Sequence, residues 1–178
     1  ARELAALGHS VQAAYAADEA LALWHGRALA DLEDWEPGRG EAIRLDELRL
    51  LAQELRMTAL LASGRHREVL AEAALRVREQ PLRENRWALL ARAQYQDGRQ
   101  AEALGTLRRA REVLAEELGL DPGSELVELE RAVLQQDPDL TVAEATLTSA
   151  ACPWPGLAAY DVDDADAFFG RGDELEQC

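Results

Sequence analysis

Gly64-Arg65 is followed, five residues after the glycine, by Val69-Leu70, and Gly98-Arg99 is followed at the same interval by Ala103-Leu104. The two phrases lie 34 residues apart. A fixed period of that size is the length of one helix–turn–helix repeat unit. A unit of this kind cannot bury its apolar stripe alone, so it stacks on its neighbours and leaves another face free for binding. Repeat stacks seldom carry chemistry. The first expectation is therefore an interaction module rather than an enzyme.

The hydrophobic spacing between these phrases is helical throughout. Leu45, Leu48, Ala52, Leu55 and Ala59 recur at three- and four-residue steps, which predicts a helix over 41–62. Gly64 ends it as a left-handed cap. Val69, Leu70, Ala73 and Val77 mark a helix over 66–79. Pro81 cannot continue that helix, and Gln80 before it is pushed toward extended geometry. Trp87, Leu90, Ala91 and Tyr95 mark a helix over 83–96, capped by Gly98. Ala103, Leu107, Ala110, Leu114 and Leu118 share one face of a helix over 100–118. LGLDPGS at 118–124 is a turn in which Gly119 stops one helix while Pro122 and Ser124 start the next. The last helix carries Leu126, Leu129 and Val133 before Asp137-Pro138. Residues 1–24 read as two helices around Gly8-His9-Ser10, with Ser10 as an N-cap. Residues 24–40, with two tryptophans, Pro37 and three glycines, read as a long irregular connection.

Composition narrows the function. The 178 residues suffice for one sizeable core, and 48% are apolar but only 5% aromatic, a mix that favours helices. No run of 18 apolar residues predicts a membrane span, and no signal peptide opens the chain, so a cytoplasmic location is expected. The chain begins at Ala1 within a helical pattern, which suggests a piece of a longer protein. The net charge of −15 repels phosphate backbones, so autonomous nucleic-acid binding is not expected. Every cationic side chain apart from histidine is arginine. Without lysine there is neither a Walker-A loop nor a pyridoxal Schiff base in these residues. Cys152 and Cys178 are the two cysteines, read as free thiols or a lone pair and not as a disulfide framework.

No constellation proposes catalysis, a cofactor or a metal. His9, His25 and His66 are isolated in sequence. DVDDAD at 161–166 lacks the glycine and glutamate that a calcium loop needs at its sixth and twelfth positions, where Asp166 and Gly172 stand. Gly170-Arg171-Gly172 lacks the third glycine of a dinucleotide fingerprint. The candidate partner-binding residues are aromatic: Trp24, Trp35, Trp87 and Tyr95. Tryptophan is enriched at binding hot spots. The alternative for Trp24 and Trp35 is that they pin the irregular connection to the helices. Arg83, Glu84 and Arg86 form either a solvated first turn or a buried Glu–Arg pair that fixes the angle between repeats. Gly64, Gly98, Pro81, Gly119 and Pro122 are expected to shape the turns.

With Gly98 set on the inter-helix glycine of the tetratricopeptide pattern, Trp87 falls on its first aromatic position and Leu90 on its leucine position. Ala91 and Ala103 then take its two small-residue positions. In the preceding unit Gly64 takes the turn, Val69 the small-residue position and Pro81 the terminal proline, while Arg56 stands where leucine is usual. The phrases LALWHGRALADL (21–32), GRHREVL (64–70), PLRENRW (81–87), YQDGRQAEAL (95–104) and LAEELGLDPGSEL (114–126) resemble, in order, the bacterial transcriptional activator domain of antibiotic-regulatory-type activators. Trp87 departs from the aliphatic or small residue expected there. The resemblance implies an all-α fold of tetratricopeptide-like antiparallel hairpins stacked as a short superhelix over 1–140, followed by a linker over 141–151. It implies a preceding winged-helix domain as the sole route to DNA. It also implies protein partners, namely a second copy, RNA polymerase or neighbouring domains of the same protein, and no membrane. PGLAAYDVDDADAFFGRGDELE (155–176) resembles the entry segment of STAND-type signalling ATPases, so 152–178 reads as an irregular junction to a downstream domain. ATP would bind only in that longer protein, where Arg171 would lie near it. The expected function is regulation and oligomerisation. A scaffold or autoinhibitory module with no direct role in transcription is the alternative.

Overall fold

The computed structural model describes residues 1–32 and 34–141, and the linker and junction expected beyond them lie outside the described residues. The described chain is helical, with no strand among its residues. In order it runs α1 (Arg2–Ala6), α2 (Ser10–Ala22), a 3-10 turn η1 (Ala30–Leu32), α3 (Glu36–Ala62), α4 (His66–Glu79), α5 (Glu84–Gln96), α6 (Gln100–Leu118), α7 (Ser124–Gln135) and a 3-10 turn η2 (Pro138–Leu140). Each helix packs on the next from α1 to α7, and α5 also contacts α3 and α7.

The two repeated glycines make the same turn. Gly64 (φ +76°) and Gly98 (φ +79°) are left-handed. Gly64 N–H donates to Leu61 O and Arg65 N–H to Leu60 O; Gly98 N–H donates to Tyr95 O and Arg99 N–H to Gln94 O. These bonds satisfy helix carbonyls that would otherwise be orphaned. A third copy stands at Gly8 (φ +78°), where Gly8 N–H donates to Ala5 O and His9 N–H to Leu4 O. Five residues after each glycine lies a residue with no solvent exposure: Ala13, Val69 and Ala103. These small side chains let adjacent helices approach closely.

The tightness of this turn corrects one expectation. Ser10 is the first residue of α2 and not its cap; the cap is His9, as Arg65 and Arg99 are for α4 and α6, and none makes a side-chain capping bond. The residue after the glycine has its own amide tied to the preceding helix, so the next helix begins one residue later. Gly119 (φ +66°) closes α6 as expected. Pro122 precedes the Gly123 cap of α7, whose amide donates to the Glu84 carboxylate at 2.7 Å.

The irregular connection is shorter than expected. α3 starts at Glu36, not near 41, and spans 27 residues. Pro37 sits in the first turn, where its missing N–H costs nothing. Gly38 is needed because η1 lies against the helix: a Cβ there would stand 2.8 Å from Leu32 O and 3.0 Å from Leu32 Cβ.

The core runs along the stack. Met57 and Leu60 of α3, Val69 and Ala73 of α4, Ala91 and Ala93 of α5, Ala103 and Ala110 of α6, and Val133 of α7 have no solvent exposure. Burying a side chain such as Met57 or Leu60 contributes about 1.5–3 kcal/mol. Arg56, in the position usually taken by leucine, keeps the packing by bridging helices instead. Its guanidinium pairs with Asp18 of α2 and, at 2.7 Å, with Glu72 of α4.

The junction of α3, α4 and α5 is polar inside. Arg86 has no solvent exposure. Its Nη1 donates to Arg76 O at 3.1 Å and its Nε lies 3.5 Å from Glu54 Oε1. Burial holds the Arg86 guanidinium below its ordinary pKa, with the Glu54 charge opposing. The buried ionic contact between repeats therefore exists, but its acid is Glu54 on α3, while Glu84 turns to the α7 cap.

Candidate functional site

The aromatic candidates do not converge. Trp87 is 6% exposed and its indole N–H donates to Pro81 O at 2.7 Å, so it anchors α5 to the turn before it. In this fold it offers no surface to a partner, which corrects the expectation from sequence. Tyr95 is half-buried and packs against the core. Trp24 is half-buried beneath the Arg49 guanidinium, 5.7 Å from the ring centre, and Arg49 also donates to Gly26 O. Both contacts tie the connection to α3. Trp35 is 57% exposed and forms the N-cap of α3, its ring against Gly38. Of the four, Trp35 is the one that presents most of its side chain to solvent.

A groove opens elsewhere, where α3, α5 and α7 run side by side. Its volume is about 240 Å³. The floor comprises Thr58, Leu61 and Ala62 of α3 with Ala88, Leu89, Arg92 and Gln96 of α5. Glu125 of α7 and Asp139 with Leu140 of η2 form one wall. Thr58 and Arg92 are repeat equivalents, as are Ala62 and Gln96. The groove is thus made by the same face of successive repeat units. Its polar chemistry is sparse: Gln96 Nε2 donates to Leu140 O at 3.0 Å, and Arg92 Nη2 lies 3.8 Å from Glu125 Oε1. Arg92 Nε and Gln96 Oε1 are shut off from solvent without a hydrogen-bond partner in the described chain. Sequence reasoning missed these residues. Polar side chains on a repeat helix read as solvated unless the 34-residue equivalence is followed to the inner face.

A second polar cluster braces the outside of the stack. Asp97, at the end of α5, accepts from Arg67 at 3.2 Å, pairs with Arg99 at 2.7 Å and lies 3.4 Å from His66 Nε2. The hydrogen bond from Arg67 holds the Asp97 carboxyl below the usual range, with the Arg99 charge adding to it. The described residues contain no group of three or more His, Cys, Asp or Glu side chains placed to hold a metal, and no helix long and apolar enough to cross a membrane.

Congruent hairpins with small residues at their crossings define an all-α domain of stacked, tetratricopeptide-like helical repeats. Residues 1–134 match the bacterial transcriptional activator domain, and the chain belongs to that family. It is 40% identical over 143 residues to the regulatory protein AfsR of Streptomyces griseus, covering 79% of this chain and 14% of that protein. It is 37% identical over 122 residues to the regulatory protein DnrI of Streptomyces peucetius, covering 68% and 45%. The solved structure of Mycobacterium tuberculosis EmbR in complex with a low-affinity phosphopeptide superimposes with a TM-score of 0.73 at 38% identity, over 76% of this chain and 36% of that one. The chain therefore spans well under half of the AfsR and EmbR proteins it resembles. Its relatives are transcriptional regulators.

Proposed function

We propose that this chain is the regulatory and oligomerisation domain of a bacterial transcriptional activator in the cytoplasm, and that it performs no catalysis of its own. It couples an upstream winged-helix DNA-binding domain to a downstream signalling ATPase domain. The observation that carries this reading is the 40% identity to AfsR along 79% of the chain, on a fold built of braced repeats. The mechanism is mechanical. α3 is shared between the α2 packing and the α4–α5 packing, so the stack moves as one body. Self-association through the stack raises the effective concentration of two DNA-binding domains on paired sites. The net charge of −15 leaves contact with DNA to the upstream domain and keeps this one for proteins, either a second copy or RNA polymerase.

Deleting residues 1–141 from the full-length protein tests this. Binding to a single DNA site should persist, while cooperative binding to paired sites and transcription from a reporter should both fall. Unchanged paired-site cooperativity and unchanged reporter output would overturn the coupling role. Nucleotide hydrolysis by the 178-residue chain alone would overturn the non-enzymatic assignment.

A further inference from the structure

We infer that the open end of the stack, where α6 and α7 lie side by side, is a seat for one acidic amphipathic α-helix supplied by a partner protein. The inference rests on the reading of this chain as a protein-interaction domain. The first observation is an unfinished hairpin. α1 with α2, α3 with α4 and α5 with α6 are joined at the left-handed Gly8, Gly64 and Gly98. α7 opens a fourth pair, and no described helix completes it: η2 turns back to α5 instead. α7 repeats α5 at an interval of 39 residues, which puts Leu126 and Leu129 in the places of Trp87 and Leu90. Val127, Glu130 and Leu134 then take the places of Ala88, Ala91 and Tyr95. In α5 the two alanines of that stripe are buried and the tyrosine half-buried, whereas Val127 is 48% and Leu134 61% exposed. A terminal repeat ordinarily shows solvent a polar face. This one shows the apolar stripe that a following helix would cover.

The second observation is the shape of the seat. Arg111 of α6 pairs with Glu130 of α7, so the stripes that contain them border one trench. Arg108, Arg111 and Leu118 share that face of α6, and Val127, Arg131 and Leu134 share that face of α7. Leu118 is 47% exposed and Leu120, in the turn beyond it, 59%. The helices run antiparallel, with Gln100 Nε2 donating to Val133 O at 2.9 Å at the opposite end, so apolar side chains edge the trench at both ends. A third helix lodges between two others by fitting its ridge into their groove. Its anchors are apolar residues three, four and seven positions apart. The third observation is charge. The chain carries −15 overall, yet this face holds three arginines against one carboxylate. Glu130 engages Arg111, while Arg108 and Arg131 are exposed and no described carboxylate pairs with either. Glu112 and Glu128 lie round the helices from these stripes, Glu112 held by Arg109 at 3.0 Å, and Asp121 stands in the turn. A helix with carboxylates flanking its apolar stripe supplies the missing partners, whereas a second copy brings the same arginines and is repelled.

The test titrates the isotopically labelled 178-residue chain, at physiological ionic strength, with the capped peptide Glu-Ala-Leu-Glu-Ala-Leu-Leu-Glu-Ala-Leu-Glu-Ala-Leu-Leu-Glu, and separately with its counterpart in which every Glu is Lys. Amide shifts give the site and fluorescence anisotropy the affinity. The whole-chain charge attracts the Lys peptide, so a preference for the acidic one has to come from the local arginines. The expected result is saturable binding of the acidic peptide with shifts confined to 104–118 and 124–135. Arg108→Glu and Arg131→Glu should each weaken it about three- to tenfold, and Arg131→Lys should retain it. Leu134→Glu, at an exposed position, should abolish binding with the melting temperature unchanged. Failure to saturate, shifts elsewhere, insensitivity to these substitutions or tighter binding of the Lys peptide at the same residues would each overturn the inference. A dimer in sedimentation equilibrium that Leu134→Glu dissolves would assign the face to a second copy and overturn it too. Failure of the peptide to bind with paired-site cooperativity intact would sink this seat and leave the coupling role standing.

Discussion

Substitutions at the Arg86–Glu54 contact should be strongly unequal. Arg86 has one carboxylate near it, Glu54 at 3.5 Å, and one carbonyl, Arg76 O; its Nη2 has no partner. Glu54 is better served, since Arg83 Nη1 lies 3.3 Å from its Oε1 and Asn85 Nδ2 donates to its Oε2 at 2.9 Å. Replacing Arg86 by Met removes a buried charge that Arg83 and Arg76 also repel, keeps an apolar stem of similar reach, and leaves Glu54 with two partners. The expected loss is about 0–2 kcal/mol, because well-packed apolar replacements of buried ions are often near neutral. Glu54→Gln instead strands a guanidinium with no solvent exposure, and removing one member of a buried pair costs about 3–5 kcal/mol. Urea denaturation followed by circular dichroism measures both, with the slope checked for constancy. In Arg86→Met the Glu54→Gln substitution should cost much less than in the parent. If Arg86→Met proves the more damaging single change, or if the two effects simply add, the assignment of Glu54 as the obligatory partner is wrong.

Glycine substitutions at two positions of one hairpin should have opposite signs. Gly98→Ala forces a side chain to φ +79° and should cost about 1–2 kcal/mol. Gly105→Ala, inside α6 with open space around it, should stabilise by about 0.5–1 kcal/mol. Thermal melts of both read the contrast. Gly38→Ala should lower stability by about 1–3 kcal/mol through overpacking on η1, with fluorescence of the tryptophans reporting a disturbed α3 start. The depressed Asp97 carboxyl stabilises the fold above its ordinary value near 3.8, and that contribution disappears as pH falls through its lower folded value. Asp97→Asn should therefore flatten the acid limb of a stability–pH profile below about pH 4 while removing the brace at neutral pH. An acid limb identical to the parent would show that Asp97 is not its source.

The spacing between Gly64 and Gly98 was enough to place α4, α5 and α6 within a residue, because three bonds of the same turn recur with the period. The copy at Gly8 escaped because 56 residues separate it from Gly64, the difference being the lengthened α3 and the connection before it. The α3 start is hidden for a local reason: Pro37, Gly38 and Gly40 resemble a loop until the contact of Gly38 with Leu32 explains the glycine. Trp87 qualifies as a partner-binding candidate by residue type alone, whereas its place on the apolar stripe with Leu90 and Ala91, three and four residues on, points its face inside. The groove was the least legible part. Arg92 and Gln96 acquire meaning only when Leu140, some forty residues later, fixes the amide and closes the wall.

The unbroken α3 rod, 27 residues long, works as a lever. About 40 Å separate its tips. Its near tip carries the exposed Trp35, while its far tip ends in the Gly64 turn and forms part of the groove floor. A tilt of only about 5° at one tip sweeps the other through roughly 3–4 Å, comparable to the advance of one residue in a strand. Because α2, α4 and α5 are all packed on this rod, a push on Trp35 swings them together with it, so the displacement reaches the Gly64 end undiminished.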